Sequence, residues 1–332
     1  MEYNSLFSFK VLVVAVIISI IVLTSLTMVP NLYSHHVPYS HAIYEVKEDI
    51  HSQSLCTDSS DDDDNCLKRR LPKCLIIGFA KCGTYALISF LALHPDIATA
   101  NDEVGFFNNK FNKGFEWYIA QMPLSKGSQI TIEKTPGYVL SMTALERIHD
   151  FNSTIKLMII VRDPVNRVPS LYAHYKEKND LPTFTKWIKS EEYVNKMNYH
   201  QHIAQVYKVF PREQVLVLCE ESLEDDPLSV MKEVESFLGL QPAFNKDLFV
   251  FNLDKGFYCF NKSHPRYHAI SQVLKIIPET GCFSKAKGRE HPEISPELMK
   301  EVVANAQPYN ERLFQLIGKR FNWTQPLMNN TQ

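Results

Sequence analysis

The sequence predicts an α/β fold: a mainly parallel sheet with helices on both faces, in a single domain. Three observations carry this. Short apolar runs end in turns, helical patterns alternate with those runs, and one turn between a strand and a helix is rich in glycine. Cys74–Ile77 reads as the first buried strand and Tyr85–Leu93 as the helix after it. Ile130–Glu133, Lys156–Val161 and Gln214–Cys219 read as further short buried strands. Asp226-Pro227 opens a helix as cap and first-turn proline, with Val230, Val234, Phe237 and Leu238 on its apolar face, and Gly239 ends it. Ser295-Pro296 opens another helix, running to about Gly318.

Ahead of this domain the composition changes twice. Val11–Met28 is uncharged and rich in Val, Ile and Leu, long enough to span a bilayer at about 18 residues or more. No small-residue cleavage pattern closes it, and Lys10 precedes it, so it reads as a retained anchor with a cytoplasmic N-terminus. A cleaved signal peptide is the other reading of that run. The organisation is thus a tail over 1–10, a transmembrane signal anchor over 11–29, a flexible stem over 30–71 and a lumenal domain over 72–328. Four sequons, at Asn152, Asn261, Asn322 and Asn329, agree with a secretory lumen.

Of the 332 residues, 45% are hydrophobic and the net charge is −2, so charge balance gives no sign of a nucleic-acid partner. Seven cysteines leave at least one outside an intrachain pair. Cys74 and Cys219 sit in apolar runs as small core residues, and Cys82 reads as packed rather than reactive. Cys259 and Cys282, in a polar loop-rich region, are the preferred disulfide, and Cys56 and Cys66 are placed to close a small loop.

Chemistry concentrates where strands end. Gly78-Phe-Ala-Lys81-Cys82-Gly83-Thr84-Tyr85 joins a strand to a helix, which sets backbone N–H groups and a positive helix end around one point suited to phosphate. The lysine precedes the second glycine, unlike the nucleoside-triphosphate pattern. Arg162 leaves the tip of another strand with Ser170 eight residues on, a guanidinium and hydroxyl suited to gripping phosphate, although Arg162 also fits a carboxylate pair. Lys134 stands just past a third strand, in Glu133-Lys134-Thr135-Pro136-Gly137-Tyr138. Glu103 reads either as a solvated side chain or, ahead of Phe106-Phe107, as one held rigidly in a cleft where burial would raise its pKa toward that of a base. Lys285–Pro292 is a basic, glycine-centred loop suited to covering an anion. Tyr199, His202 and Tyr207 fit either the acceptor cleft or the core. Nowhere do His, Cys and Asp share the spacing of a metal site.

As an ordered set these segments resemble the lumenal sulfotransferases of heparan sulfate biosynthesis, especially the glucosaminyl 3-O-sulfotransferases, from about Leu71 to Trp323. The matching motifs are Gly-x-x-Lys-x-Gly-Thr, Glu-x-x-Phe-Phe, Glu-Lys-Thr-Pro-x-Tyr, Val-Arg-Asp-Pro-Val-x-Arg, Phe-Leu-Gly-Leu, Lys-Gly-Phe-x-Cys and Lys-Gly-Arg-x-His-Pro-Glu. The resemblance implies a P-loop-like fold, a Golgi membrane location and 3′-phosphoadenosine 5′-phosphosulfate (PAPS) as sulfuryl donor, without a metal. It implies that Lys81, Cys82, Gly83, Thr84 and Tyr85 form the 5′-phosphosulfate loop, and that Arg162 and Ser170 grip the 3′-phosphate. Lys287, Gly288, Arg289, Glu290 and His291 are implied to close over the nucleotide. Glu103 falls on the general base, and Lys134 on a lysine contacting sugar and transferred group. Phe106, Phe107, Thr135, Pro136 and Gly137 are implied acceptor-side neighbours, and Cys259–Cys282 the family disulfide.

Some positions depart from the 3-O pattern. Cys82 and Tyr85 stand where it has a glycine and an arginine. Val104-Gly105 and Asn108 replace a proline-histidine pair and an aspartate, which brings Glu103–Asn108 closer to the glucosaminyl N-sulfotransferase domain. Sulfation of another acceptor, whether a glucosamine amine, another glycan or an alcohol, and glycan binding without turnover are the alternative readings.

Overall fold

The computed structural model describes residues 66–323, apart from 101, 178–180, 266, 269–270, 272–275, 284–291 and 293. The expected tail, anchor and most of the stem lie outside the described residues, as does the 287–291 loop. Among the described residues no helix is long and apolar enough to cross a membrane.

The centre is a five-stranded sheet, parallel throughout. Strands β1 (Lys68–Arg69) and β4 (Leu124–Ser125) form a small antiparallel pair outside it. The sheet comprises β2 (Cys74–Gly78), β3 (Ile97–Thr99), β5 (Ile130–Lys134), β6 (Lys156–Val161) and β7 (Val215–Cys219), in the order β3-β5-β2-β6-β7. Every residue of β2 is buried. Successive side chains of a strand point to opposite faces, so both faces of the sheet are covered. That explains why these strands read as continuous apolar runs rather than alternating ones. The α/β expectation is borne out. Strand β3, too short and too polar to stand out in the sequence, is the addition.

Among the described residues the α-helices longer than about one turn are α1 (Thr84–Leu91), α2 (Gly114–Ala120), α3 (Met142–Phe151), α4 (Pro164–Lys176), α5 (Glu191–Met197), α6 (Tyr199–Val209), α7 (Glu220–Asp225), α8 (Pro227–Leu238) and α9 (Pro296–Ile317). The starts of α3, α4, α5, α6, α8 and α9 follow from side-chain capping. Asp226 accepts from Ser229 N at the start of α8, and Ser295 accepts from Leu298 N at the start of α9. Both helices end on a left-handed glycine, Gly239 and Gly318. On α8 the buried stripe is Val230, Met231, Val234, Glu235 and Leu238, whereas Phe237 is only half-buried beneath Lys156. Glu235 is tolerated inside because it accepts from Phe244 N at 2.8 Å.

Two small hairpin-like pairs, β8 (Phe249–Asn252) with β9 (Phe257–Phe260) and β10 (Ile276–Ile277) with β11 (Cys282–Phe283), are joined by the Cys259–Cys282 disulfide. Cys74, Cys82 and Cys219 are free and buried, and Cys66 is disulfide-bonded to a residue outside the described set.

All five strands of the sheet run the same way, so their carboxyl ends share one rim. The segments leaving that rim carry Lys81 after β2, Glu103 after β3, Lys134 at the end of β5, Arg162 after β6 and Glu220 after β7. Ligands in parallel sheets bind outside this rim.

Candidate active site

The glycine turn is shaped by its neighbours as much as by its own residues. Strand β2 bulges between Ile76 and Gly78, and Phe79 N donates to Ile160 O at 2.9 Å. Lys81 (φ 67°) and Gly83 (φ 77°) then take the left-handed conformation, turning the chain into α1. A Cβ on Gly83 would stand 2.7 Å from Glu220 Cγ, so the glycine is needed for close approach as well as for φ. Helix α1 begins with no side-chain cap and no acidic residue in its first turn, whereas α3, α4, α8 and α9 are each capped by their own Ser or Asp. Its first N–H groups therefore suit an anion.

Behind the turn stands a strut that the sequence reading missed. Arg167 is 2% exposed. Its Nε donates to Ala80 O at 3.0 Å and its Nη1 to Lys196 O at 2.7 Å, with the guanidinium over the rings of Phe79 and Tyr199. Tyr199 Oη donates to Arg162 O at 2.9 Å and lies 3.4 Å from Cys82 Sγ. Burial pushes the Cys82 thiol up, so it stays protonated and inert. Arg167 closes the Val-Arg-Asp-Pro-Val-x-Arg motif, but its partners Ala80 and Lys196 come from other segments and left no local signal of the strut.

Arg162 is engaged by Glu220, the first residue of α7, with Nε 2.9 Å from Oε2. The contact is close but poorly directed, and neither atom makes a hydrogen bond. Burial pushes the Glu220 carboxyl up to about 8, against the pull of Arg162 and with help from Glu224 and Glu221. Two acidic residues after a strand carried no functional signal in the sequence. Ser170 is buried on α4.

On the other side of β2, Lys134 Nζ donates to Glu103 Oε1 at 2.6 Å. The lysine side chain is 6% exposed and the glutamate side chain 57%. The expectation of a buried Glu103 is therefore corrected. The buried carboxyl is Glu133, 0% exposed and pushed up to about 7 by burial.

Phe106 and Phe107 are also fully buried, so they do not line an open cleft. Phe106 stacks on Tyr118 at 4.3 Å, and Phe107 meets Tyr138 at 5.5 Å. Aromatic area of that size is worth more in the core than at a wet rim. Thr135 and Pro136 are buried likewise, and a Cβ on Gly137 would stand 3.2 Å from Asn108 Nδ2. For Tyr199 and His202 the core reading holds: both are buried, and His202 Nε2 lies 2.9 Å from Asn195 O. Tyr207 carries the guanidinium of Arg212 at 4.3 Å.

A sulfotransferase domain model matches residues 71–318 of the chain. The chain belongs to the sulfotransferase family. Within that family it is 36% identical over 273 residues to heparan sulfate glucosamine 3-O-sulfotransferase 5 of Homo sapiens, covering 77% of this chain and 75% of that protein. It is 35% identical over 274 residues to heparan sulfate glucosamine 3-O-sulfotransferase 6 of Homo sapiens, with the same coverage. The resemblance read from the motifs is thereby borne out. In fold, a sulfotransferase from Alicyclobacillus acidocaldarius superposes with a TM-score of 0.56 at 21% identity, covering 76% of this chain and 98% of that one.

Proposed function

We propose that this sulfotransferase moves a sulfuryl group from PAPS to the 3-hydroxyl of a glucosamine in heparan sulfate, with Glu103 as general base. The observation that carries the reading is the Glu103–Lys134 pair, 2.6 Å apart, on the same rim as an uncapped helix start and Arg162. The sequence relatives, named as heparan sulfate glucosamine 3-O-sulfotransferases, support the acceptor class.

In this reading the acceptor oxygen attacks sulfur as Glu103 takes its proton, and the bond from sulfur to the bisphosphate oxygen breaks in line. Lys81 and Lys134 neutralise charge on that leaving oxygen. The Lys81–Tyr85 turn holds the 5′ end of the donor, and Arg162 with Ser170 holds its 3′-phosphate. Residues 287–291 close over the nucleotide. Positioning and charge neutralisation supply most of the acceleration, as in phosphoryl transfer. We further propose that residues 11–29 anchor the protein in the Golgi membrane with this domain in the lumen.

The test is transfer from radiolabelled PAPS to a panel of heparan, chondroitin and desulfated glycans, with mapping of the modified position. Label on the glucosamine 3-hydroxyl is expected. Label on the amine would transfer the assignment to N-sulfation, which the Glu103-Val104-Gly105-Phe106-Phe107-Asn108 segment favours. Glu103→Gln should lower turnover by at least about a hundredfold, with unchanged calorimetric binding of the desulfated bisphosphate. Near-normal turnover in that variant would remove Glu103 from the mechanism.

A further inference from the structure

The segment that presents Glu103 is held by side chains. Val104 N donates to Glu133 Oε1 at 3.4 Å, Gly105 N to Thr135 Oγ1 at 3.0 Å, and Phe107 N to Tyr138 Oη at 3.4 Å. All three acceptors belong to residues 133–138, the stretch that also carries Lys134. Gly105 has φ 68°, a left-handed turn that glycine adopts without steric cost and an ordinary side chain would resist. At the centre of the anchoring is Glu133. Its Oε1 also accepts from the Thr135 hydroxyl, and its Oε2 accepts from Tyr118 Oη at 3.4 Å.

We propose that Glu133 is a positioning residue for the transfer reaction: its ionised carboxylate, directly on Val104 and through Thr135 on Gly105, fixes the loop that sets Glu103 against Lys134. This deepens the reading under Proposed function and rests on Glu103 acting there as base.

Around Glu133 stand the Val104 amide, the hydroxyls of Thr135 and Tyr138, the Tyr118 hydroxyl from α2, and the charge of Lys134 beside it on β5. The ionised carboxylate accepts from Val104 N, the Thr135 hydroxyl and the Tyr118 hydroxyl together. The hydroxyls can reverse their role, but the amide can only donate, so a proton on Oε1 would cost the contact to Val104. Burial opposes ionisation while these donors and Lys134 favour it, and the balance lies at about 7.

The test uses the full chain, Glu133→Gln and Thr135→Val, with three readouts. The first is amide exchange at Val104 and Gly105, corrected for intrinsic rates. The second is kcat for sulfuryl transfer across pH 6–9, and the third is calorimetric binding of the desulfated bisphosphate. Both variants should speed exchange at these two amides by at least about tenfold, since each hydrogen bond closes a local opening step. Displacement of a reacting group by about 1 Å can cost on the order of a hundredfold, so kcat should fall by about tenfold or more. Nucleotide affinity should stay within about twofold. Wild-type kcat should climb as pH rises through about 7, and Glu133→Gln should lack that limb.

Unchanged exchange and kcat, or parallel loss of kcat and nucleotide binding, would overturn the proposal. Should Glu133→Gln fail to fold, Thr135→Val decides by the same readouts. If the wild type transfers to no acceptor, the function reading fails, while amide exchange and its pH dependence still decide whether Glu133 holds the loop.

Discussion

Two of the buried carboxyls on the rim of the sheet stand in opposite circumstances. Glu133, on the β3/β5 side, is surrounded by amide and hydroxyl donors that converge on it. Glu220, on the β6/β7 side, is pressed against one guanidinium and two further carboxyls. One half of the rim is satisfied internally and held in a fixed shape. The other holds a close but misdirected ion contact, with Arg162 Nε and Glu220 Oε2 both buried and unbonded. The difference teaches how one scaffold divides its work. On the proposed reading, the half that presents Glu103 is preorganised by neutral donors, and the half assigned to the nucleotide keeps a cation whose internal partner an incoming phosphate can replace.

The strongest challenge to this contrast is Gly83→Ala. The substitution puts a methyl on a left-handed residue, costing about 1–2 kcal/mol, and drives it into Glu220, whose Cγ lies 2.7 Å from the new Cβ. Movement of Glu220 carries Arg162 with it. Calorimetry with the desulfated bisphosphate should show binding weakened by at least about tenfold, while amide exchange at Val104 and Gly105 stays at the wild-type rate. Loss of protection at those amides would mean that the halves are not independent.

Glu220→Gln sharpens the same point with a smaller effect. The ionised carboxylate competes with phosphate for Arg162, so its removal should tighten bisphosphate binding by roughly threefold to tenfold at pH 8. At pH 6, where Glu220 is largely protonated, the gain should shrink. Stability gives a second reading of the same group. Its folded pKa of about 8 exceeds the ordinary 4.5, so the native state holds a proton that the unfolded chain has released between those values. That contribution is complete below about pH 4.5 and is lost as pH rises through about 8. The wild-type Tm should therefore fall from pH 5.5 to pH 8.5, and Glu220→Gln should flatten the decline. An unaltered decline would place the cost elsewhere.

How much of this was legible in the sequence follows from the physics of each element. Parallel strands buried on both faces betray themselves as apolar runs, which is why β2, β5, β6 and β7 could be read directly. Three residues of Ile97–Thr99, with two only half-buried, leave no such trace. Asp226-Pro227 and Ser295-Pro296 are local signals and placed their helices to the residue. Strand ends also placed Lys81, Lys134 and Arg162 on one rim. Burial at the site was read wrongly in both directions. Glu103 was expected inside and lies out, whereas Phe106 and Phe107 were expected at the acceptor and lie in the core. Whether a charged residue is buried depends on donors supplied from distant segments, as Val104 and Tyr118 supply Glu133. Arg167 and Glu220 were missed for the same reason, since their partners come from other strands and helices.

The finest test concerns the strut behind the nucleotide half. Tyr199→Phe keeps the ring against Phe79, at 4.7 Å, and beneath the Arg167 guanidinium at 5.0 Å. It removes only the hydroxyl that donates to Arg162 O at 2.9 Å and lies 3.4 Å from the Cys82 thiol. A buried carbonyl left short of one donor costs about 1 kcal/mol, which in a domain of this size lowers Tm by about 2–4 °C. Arg162 is tethered at its backbone by this bond and at its side chain by Glu220. The variant should therefore weaken bisphosphate binding less than Gly83→Ala does and leave exchange at Val104 and Gly105 unchanged. A Tm loss without any change in nucleotide affinity would make Tyr199 an ordinary core residue, and would show that the Arg162 backbone is held by β6 alone.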